Sequence, residues 1–550
     1  MKTTFTYDHY FDYEEVTKCF QYFETQYPDY VDLQSICVTE ENKNVWAITL
    51  SNKKTGDALQ KPAFYMDGNH HAGEVTGSMA CMHFVDVILN NYLPMLDHKT
   101  IYVIPKVSPD GSDCYLHTAT KLRSVNRLYL EKQPGLHASD MNNDGIIAMM
   151  RVPSKYGAWK VSKENPLIMT KRMPDDVEGQ FYNVYSEGYI DQYDGFHISI
   201  AKPEFGLDFN RNYPFGWFTE HRQPGAGKYP LSNPENKAVV DFVIEHNNIG
   251  SVLTMHTTGG VLVYPPGTKP SAKASAADMQ MFKEIGQMAT QEMGYPVVNI
   301  FDAFLTDTDN YSSGAFDDWC YHTQGIPAYT VELWNIKERS GCPEQWPVKY
   351  DKTNAEKEEE YTKVVQWIQE NCPENILPWT EFDHPQLGKV EIGGLDFKFS
   401  CQNCPNAYLL QEVEKTTKFA LRYVNALPSI SIDEVQVSKI DTHTYSVEAI
   451  IGNNGYLPTY ICEEAKNIQV AKDMEISCSG NVISTQGEIG QLAGFGNMKT
   501  EYSYDGISTY NSENVCDKIS WILSGNEGDE IEIKVSSQKA GTVIKKVSLS

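Results

Sequence analysis

The sequence has no long apolar run. No window approaches the roughly 20 apolar residues needed to span a bilayer, and the opening stretch MKTTFTYD lacks the apolar core of a signal peptide. We therefore expect a cytoplasmic protein with no membrane partner. A secreted or periplasmic protein is the alternative if the numbering begins on a processed chain.

Basic residues are outnumbered. Lys and Arg together number 46 against 73 Asp and Glu, which gives a formal net charge of −27 and a pI of about 4.9. An acidic surface of this kind repels phosphate backbones and anionic lipids. The composition argues against nucleic acid and membrane surfaces as partners, and it leaves the oligomeric state open.

Cysteine is sparse, with 12 residues in 550. This density is too low for a disulfide scaffold and is compatible with reduced thiols. Cys401 and Cys404 form one Cys-x-x-Cys pair without a second pair nearby. Ordinary thiols, a local disulfide, and a metal or redox pair all remain open readings of that motif.

The apolar fraction of 41% is enough for a substantial core, and the length predicts more than one domain. Up to about residue 426, strand-like runs alternate with helical patterns, which predicts an α/β domain with a mixed sheet covered by helices. Strands are predicted at 45–50, 63–66, 101–105, 252–255 and 328–331, and helices at 74–90, 237–246, 354–369 and 406–425, the last as a linker helix. An insertion at about 130–205, rich in Pro, Gly, Asp and Tyr, is expected to form a long loop region.

The pattern changes after Pro428. Short alternating strands separated by Gly and Asn turns predict an antiparallel, Ig-like β-sandwich over 427–550. We find no catalytic constellation in this accessory domain, and its role stays open.

The chemistry of the chain concentrates in His71, Glu74, His256 and Glu332, each of which follows or closes a predicted strand. In open α/β sheets, ligands bind outside the carboxyl ends of the strands. Two imidazoles and one carboxylate that leave a fourth position free are the ligands of a catalytic zinc. His70 competes with His71 for this role, but the His-x-x-Glu spacing favours His71.

Six segments, in order, resemble the M14 metallocarboxypeptidases. They are Gly68-Asn69-His70-His71-Ala72-Gly73-Glu74, Ser108-Pro109-Asp110-Gly111 (with Ser in place of the family's Asn), Leu207-Asp208-Phe209-Asn210-Arg211-Asn212, Thr254-Met255-His256-Thr257, Tyr311-Ser312-Ser313-Gly314 through Asp318-Trp319-Cys320-Tyr321, and Thr330-Val331-Glu332-Leu333. The resemblance covers roughly residues 1 to 385. It implies a carboxypeptidase-like fold and a zinc enzyme that removes C-terminal residues from peptides with a free C-terminus.

The resemblance also implies roles for single residues. Glu332 activates a zinc-bound water for attack on the last peptide bond. Asp208 orients the first histidine, although a simple turn-forming Asp is the alternative. Asn210 and Arg211 clamp the substrate carboxylate. Arg123 stabilises the oxyanion, with Arg127 as the nearby alternative.

Two further implied residues lie in or beside the family's tyrosine loop, which is one residue shorter here than in the pancreatic-type enzymes. Tyr311 resembles the mobile tyrosine that caps the bound carboxylate. Asp317 falls near the base of the specificity pocket, where an acid favours a terminal Lys or Arg. The ordinary reading of Asp317 is a solvated or capping loop residue.

The insertion contains a candidate calcium loop formed by Asp140, Asn142 and Asp144, followed by Gly145. The position that holds a bidentate Glu in such loops is Arg151 here. A turn stabilised by side-chain hydrogen bonds is the alternative reading of this segment.

Two other functions remain in view. A zinc amidohydrolase that acts on an unusual peptide, such as a peptidoglycan stem peptide, would use the same metal site. A non-catalytic zinc-containing binding or adhesion protein would lack the general base, but Glu332 is in place. The sequence does not fix the preferred C-terminal residue.

Overall fold

The structure is a computed structural model that describes residues 1–129, 131–305, 307–349, 351–497, 499–502, 508–511 and 514–550. Across those ranges, the helices are all too short or too polar to cross a bilayer.

The first part of the chain builds half of a central sheet. Its elements are α1 (Tyr13–Gln26), β1 (Val31–Val38), β2 (Asn44–Leu50), β3 (Ala63–Gly68), α2 (Val75–Asn91), β4 (Thr100–Ile104) and α3 (Pro109–His117). The helix α1 begins at a capping box, in which Asp12 and Glu15 each accept a hydrogen bond from the other's backbone N–H. The helix α2 is buried over nearly its whole length, in keeping with its apolar sequence.

The insertion contains six short strands, so the prediction of a long loop region was wrong. They are β5 (Gly135–Ala138), β6 (Met149–Pro153), β7 (Trp159–Val161), β8 (Met169–Lys171), β9 (Tyr182–Ser186) and β10 (Gly188–Asp191). The strands are three to five residues long and are separated by Pro- and Gly-rich turns, which hid their alternation in the sequence.

The central sheet is completed by the segment after the insertion. Its elements are α4 (Pro234–Glu245), β11 (Ile249–Thr257), β12 (Val261–Tyr264), α5 (Ala276–Met293), β13 (Val297–Asn299), α6 (Phe316–Gln324), β14 (Ala328–Leu333), α7 (Ile336–Arg339) and α8 (Asn354–Asn371). The predicted strands at 252–255 and 328–331 are the middles of β11 and β14.

Eight strands form the central mixed sheet in the order β1-β2-β4-β3-β11-β14-β12-β13. Its four middle strands run parallel in the order β4, β3, β11, β14. In this register Met255 pairs with Gly68 and His256 pairs with Glu332. The carboxyl ends of β3, β11 and β14 therefore lie side by side, as the sequence predicted.

Helices cover both faces of this sheet, and each face has its own apolar core. One core contains residues of α1, α2 and α5, and the other contains residues of α4 and most of the buried face of α6. This is the α/β architecture expected from the strand–helix alternation.

The next segment returns to the insertion and then to the central sheet. Its elements are β15 (Ile376–His384), β16 (Gly388–Leu395) and α9 (Asn406–Asn425). The strands β15 and β16 pair with the insertion strands in a six-stranded sheet, ordered β15-β16-β6-β9-β7-β8. The helix α9, at the position predicted for a linker helix, packs between α2 and α5 and is part of the main core.

The remaining chain forms antiparallel sheets. Its elements are β17 (Ile430–Asp441), β18 (Thr444–Asn453), α10 (Glu463–Asn467), β19 (Glu475–Cys478), β20 (Asn481–Gln486), β21 (Lys499–Tyr502), β22 (Ser508–Asn511), β23 (Cys516–Ser524), β24 (Glu530–Ser537) and β25 (Gly541–Ser548). A four-stranded sheet (β17-β18-β23-β20) and a three-stranded sheet (β19-β24-β25) share one apolar core. This arrangement is a β-sandwich.

Candidate metal centre and active site

Three buried side chains converge at the ends of β3 and β11. His71 Nδ1 lies 2.8 Å from Glu74 Oε1, and His256 Nδ1 lies 2.9 Å from Glu74 Oε2. The two imidazole Nδ1 atoms are 3.0 Å apart. Within the described part of the chain, this is the one group of three or more His, Cys, Asp or Glu residues close enough to share a metal ion.

The turn between β3 and α2 places His71 and Glu74. Asn69 has a φ of +64°, a region that asparagine tolerates better than most residues, and its side-chain amide donates to the carbonyls of His71 and Ala72. Gly68 lets the strand approach the helix closely, because a Cβ there would lie 3.0 Å from the Gly77 backbone. The chain therefore reverses within a few residues and presents both side chains on one side.

The start of α2 is held by a residue far away in the sequence. Glu74 precedes the helix without capping it. Instead, Asn403 Oδ1 accepts hydrogen bonds from the backbone N–H and the hydroxyl of Thr76, and Asn403 Nδ2 donates to the Gly73 carbonyl at 2.7 Å. Asn403 is fully buried. No sequence signal pointed to it, because Gly73 and Thr76 lie more than 300 residues away.

The chemistry of these donors fits a zinc ion. His71 Nε2 lies 3.1 Å from Asp208 Oδ1, and an ionised carboxylate only accepts, so this nitrogen carries a proton. The other ring nitrogen, His71 Nδ1, faces a Glu74 oxygen 2.8 Å away, and either a proton or a metal ion can lie between the two atoms. Two imidazole nitrogens and one carboxylate that converge in this way are a ligand set that suits Zn²⁺.

The electrostatics of the carboxylates agree with this geometry. Burial alone would raise the pKa of Glu74, but the imidazoles of His71 and His256 outweigh it and hold that pKa below its usual range. Burial likewise opposes ionisation of Asp208, but Arg123 and His71 hold its pKa well below normal. Both carboxylates are therefore anionic at neutral pH.

His70 points away from this centre. Its Nε2 lies 2.7 Å from the Tyr213 hydroxyl, and its ring stacks on His256 at 5.7 Å. Burial, reinforced by the nearby His256, holds the pKa of His70 well below its ordinary value, so the ring is neutral. The structure places His70 as a packing neighbour of the centre and His71 within it.

Glu332 lies beside the three converging groups. It pairs with His256 across β11 and β14 and is partly buried. Burial, with a contribution from the negative charge of Glu74, raises the pKa of Glu332 to about 7. A carboxyl with such a pKa exchanges protons readily near neutral pH.

The two candidate arginines are placed differently. Arg123 Nε donates to Asp208 Oδ2 at 2.9 Å, its Nη1 lies 3.6 Å from Glu74 Oε1, and its side chain is 43% exposed. Arg127 is instead bound to buried Glu235 at 2.6 Å and to Asn233. The structure brings Arg123, and not Arg127, to the edge of the centre.

The Asn210–Arg211 segment is bonded to the tyrosine loop. Asn210 Oδ1 accepts from the Phe316 N–H at 2.8 Å, and Gly314, with a φ of +74°, leaves room for the Arg211 carbonyl. Asn210 N–H in turn donates to Asp208 Oδ1. The Asp208 carboxylate therefore contacts His71, Arg123 and the backbone of the Asn210–Arg211 segment.

Tyr311 is half-buried at the other end of the same loop. Its ring lies 5.6 Å from the ring of Phe218, and the Arg222 guanidinium lies 5.5 Å from it. The tyrosine is therefore seated against an aromatic and a cationic side chain.

Asp317 is buried on the same side of the sheet as Glu332. Its two oxygens accept hydrogen bonds from the Thr330 hydroxyl at 2.7 Å and the Asp318 N–H at 2.8 Å. Thr330 and Glu332 are two residues apart on β14 and face the same way. This burial contradicts a solvated aspartate, whereas the hydrogen bond from the Asp318 N–H, in the first turn of α6, agrees with the capping alternative.

The Asp140 loop is folded by its own side chains. Asp140 accepts from the N–H groups of Asp144 and Gly145, and Asn142 donates to Asp144 at 2.9 Å. Arg151 forms two hydrogen bonds with Glu391 at 2.7 and 2.9 Å and lies outside the loop's polar interior. These contacts are those of the turn that we gave as the alternative to calcium.

The Cys401-x-x-Cys404 pair contains free thiols, as do the other ten cysteines. Cys404 is buried, with its sulfur 3.2 Å from the Tyr10 hydroxyl. The local-disulfide reading of this motif was wrong.

Two parts of the chain are similar to known domains. Residues 16–341 match the family described as zinc carboxypeptidase, and residues 429–548 match a domain of unknown function. Carboxypeptidase A1 of Sus scrofa is 32% identical over 135 residues, which are 23% of this chain and 32% of that protein. This chain therefore spans about a third of the length of that relative.

Longer matches are more distant. Carboxypeptidase O of Bos taurus is 23% identical over 60% of this chain and 72% of that protein. Among solved structures, carboxypeptidase A of Helicoverpa armigera is 18% identical, with a TM-score of 0.38 over 66% of this chain and 73% of that one. The family match covers more than half of the sequence and contains the three converging ligand groups and Glu332. The chain therefore belongs to the zinc carboxypeptidase family.

Proposed function

We propose that this protein is a zinc-dependent carboxypeptidase that removes the last residue of peptides with a free C-terminus. The observation that carries the proposal is the convergence of His71 Nδ1, His256 Nδ1 and the Glu74 carboxylate within hydrogen-bond distance of one another. A zinc ion held by these groups would polarise a carbonyl and lower the pKa of water.

Glu332 acts as the general base and acid in this proposal. Its carboxylate takes a proton from the attacking water and later gives it to the departing amine. The pKa of about 7 supports both directions of transfer, because neither protonation state is strongly favoured at neutral pH.

Arg123 stabilises the negative charge that develops on the attacked carbonyl oxygen. In the structure it is held through Nε by Asp208, which leaves the Nη groups at the edge of the centre. Asp208 is thus a positioning residue for both His71 and Arg123.

Asn210 and Arg211 bind the terminal carboxylate of the substrate, and Tyr311 closes over it. The Arg guanidinium presents two parallel N–H groups to a carboxylate. The hydrogen bond between Asn210 and the Phe316 N–H supports this assignment, because it joins the arginine segment to the tyrosine loop.

Asp317 provides the base of a pocket for a terminal Lys or Arg. It is buried, and both of its oxygens accept hydrogen bonds from neutral groups. Within the described residues its hydrogen-bond donors are only these neutral groups, and a buried carboxylate of this kind would be a favourable site for an ammonium or guanidinium group from the substrate.

Blocked dipeptides with free or amidated C-termini test the function. We expect hydrolysis of the free forms only, its loss on chelation, and a lower KM for Lys or Arg than for Leu at the terminus. Equal hydrolysis of amidated peptides would favour the other amidohydrolase function. Zinc binding without any hydrolysis would favour a binding or adhesion protein.

A further inference from the structure

A cavity of about 430 Å³ opens at the end of β11. Its wall is mainly apolar and includes Gly259, Trp346, Val348, Tyr361, Val364 and Phe397. Apolar cavities with a few polar groups at the edge are typical binding sites for apolar side chains or small ligands.

The cavity adjoins the candidate active site at Gly259, three residues after His256. A Cβ on Gly259 would lie 3.4 Å from Glu332 Cβ and 3.9 Å from the Trp346 ring. The Gly259 N–H donates to the Trp334 carbonyl, and its carbonyl accepts from Asn335 at 2.7 Å. Glu332 and Trp346 therefore lie on either side of a hydrogen-bonded backbone segment that has no side chain at Gly259.

The far wall comes from segments outside the match to the zinc carboxypeptidase family, which ends at residue 341. Trp346 and Val348 lie between α7 and α8, Tyr361 and Val364 lie on α8, and Phe397 follows β16. The helix α8 is fixed at its start by a capping box at Thr353. This wall thus lies outside the residues that match the family model and beside the candidate reaction centre.

Tyr361 is also part of the wall of a second cavity, of about 390 Å³. That cavity lies against the six-stranded sheet and includes Trp159, Met169 and Trp379. The Trp379 indole N–H already donates to the Leu167 carbonyl at 2.9 Å. The Trp379 ring therefore adds apolar surface to this cavity, and Tyr361 lies in the walls of both cavities.

We propose that these two cavities bind the part of the peptide that precedes the scissile bond, with a large apolar or aromatic side chain in the cavity at Gly259. The inference rests on the proposed carboxypeptidase function and adds a substrate class to it. An extended peptide advances 3.3–3.6 Å per residue. Gly259 lies in the cavity wall and is next to Glu332. The cavity is therefore within reach of either of the two substrate residues that precede the C-terminal residue.

The test compares blocked pentapeptides that share one C-terminal residue and carry Ala at both preceding positions, or Phe at one of them. Binding is measured by calorimetry on the zinc-loaded Glu332→Gln protein, and kcat/KM is measured on the unmodified enzyme. We expect Phe at one position to improve both by at least tenfold, which corresponds to about 1.4 kcal/mol. In Trp346→Ala and, independently, in the loop variant Val348→Asp, this preference should fall below threefold.

Phe196→Ala is the matched control, because Phe196 lies on the insertion and is 80% exposed. It should keep the full preference. Equal binding of the Ala and Phe peptides, a preference that survives both cavity variants, or no binding of any peptide would overturn the proposal. Preferential binding without hydrolysis by the unmodified enzyme would instead refute the carboxypeptidase function and leave the binding site in place.

Discussion

Asp208 offers a sharp test of the metal centre, because its carboxylate touches the centre without belonging to it. Oδ1 accepts from His71 Nε2 at 3.1 Å and from the Asn210 N–H at 2.9 Å, and Oδ2 accepts from Arg123 Nε at 2.9 Å. In Asp208→Asn, the new amide group has to face one of these donors. At least one hydrogen bond and the negative charge are lost together.

The consequence is a less well oriented His71. Loss of such an outer partner typically weakens metal binding 10- to 100-fold, which is about 1.4 to 2.7 kcal/mol. We expect Asp208→Asn to bind zinc with a dissociation constant higher by that factor, measured in competition with a chelator of known affinity. The assay needs no turnover, so it does not depend on the proposed reaction.

The control is Asp194→Asn, which removes an exposed carboxylate that pairs with His197 at 2.8 Å. It should leave the zinc affinity unchanged. If the folded Asp208→Asn protein bound zinc within twofold of the unmodified protein, the orientation of His71 by Asp208 would be refuted.

Four further predictions address the base, its titration, the long-range cap and the Asp140 loop. Glu332→Gln should retain one zinc per chain by elemental analysis and lower kcat by 10²- to 10⁴-fold; near-normal turnover would remove Glu332 from the reaction. Because the base works only when unprotonated and the pKa of Glu332 is raised to about 7, kcat/KM should fall as the pH drops below about 7, and a flat profile from pH 5 to 8 would contradict this. Asn403→Ala leaves the buried Gly73 carbonyl and Thr76 N–H without their partner and should lower the free energy of unfolding by about 3 kcal/mol, measured by denaturant unfolding. The exposed control Asn371→Ala should leave that free energy almost unchanged. Calcium binding by Asp140, Asn142 and Asp144 stays a prediction of the sequence. Millimolar Ca²⁺ should raise the melting temperature of the unmodified protein but not that of Asp140→Ala. Equal melting temperatures of the unmodified protein with and without Ca²⁺ would contradict calcium binding and favour a turn held by its own side chains.

The convergence of the strand ends could be predicted from the sequence because local patterns determine it. The strands β3, β11 and β14 are short apolar runs, each followed by polar residues, and the rule that parallel strands end on one edge was enough to bring their ends together. The two helices α8 and α9 were also predictable, since each has apolar residues at helical spacing over 18 and 20 residues.

Contacts between residues far apart in the sequence could not be predicted in this way. The strands of the insertion are too short to show alternation. One of them, β6, pairs with β16, which lies more than 200 residues later in the sequence. Likewise Asn403 looks like an ordinary loop residue, and only the fold brings it to the start of α2. Such contacts depend on tertiary packing, which neither periodicity nor a short motif encodes.

The charges of the candidate site are unbalanced without a metal. Within the described residues that we assign to it, four carboxylates face two guanidinium groups: Glu74, Asp208, Asp317 and Glu332 against Arg123 and Arg211. Uncompensated charge in a partly dry cleft is costly, so a divalent cation would remove much of the repulsion between Glu74 and Glu332. Since a ligand that binds only the folded state adds its binding free energy to stability, a zinc ion held by these residues would raise the free energy of unfolding of the protein.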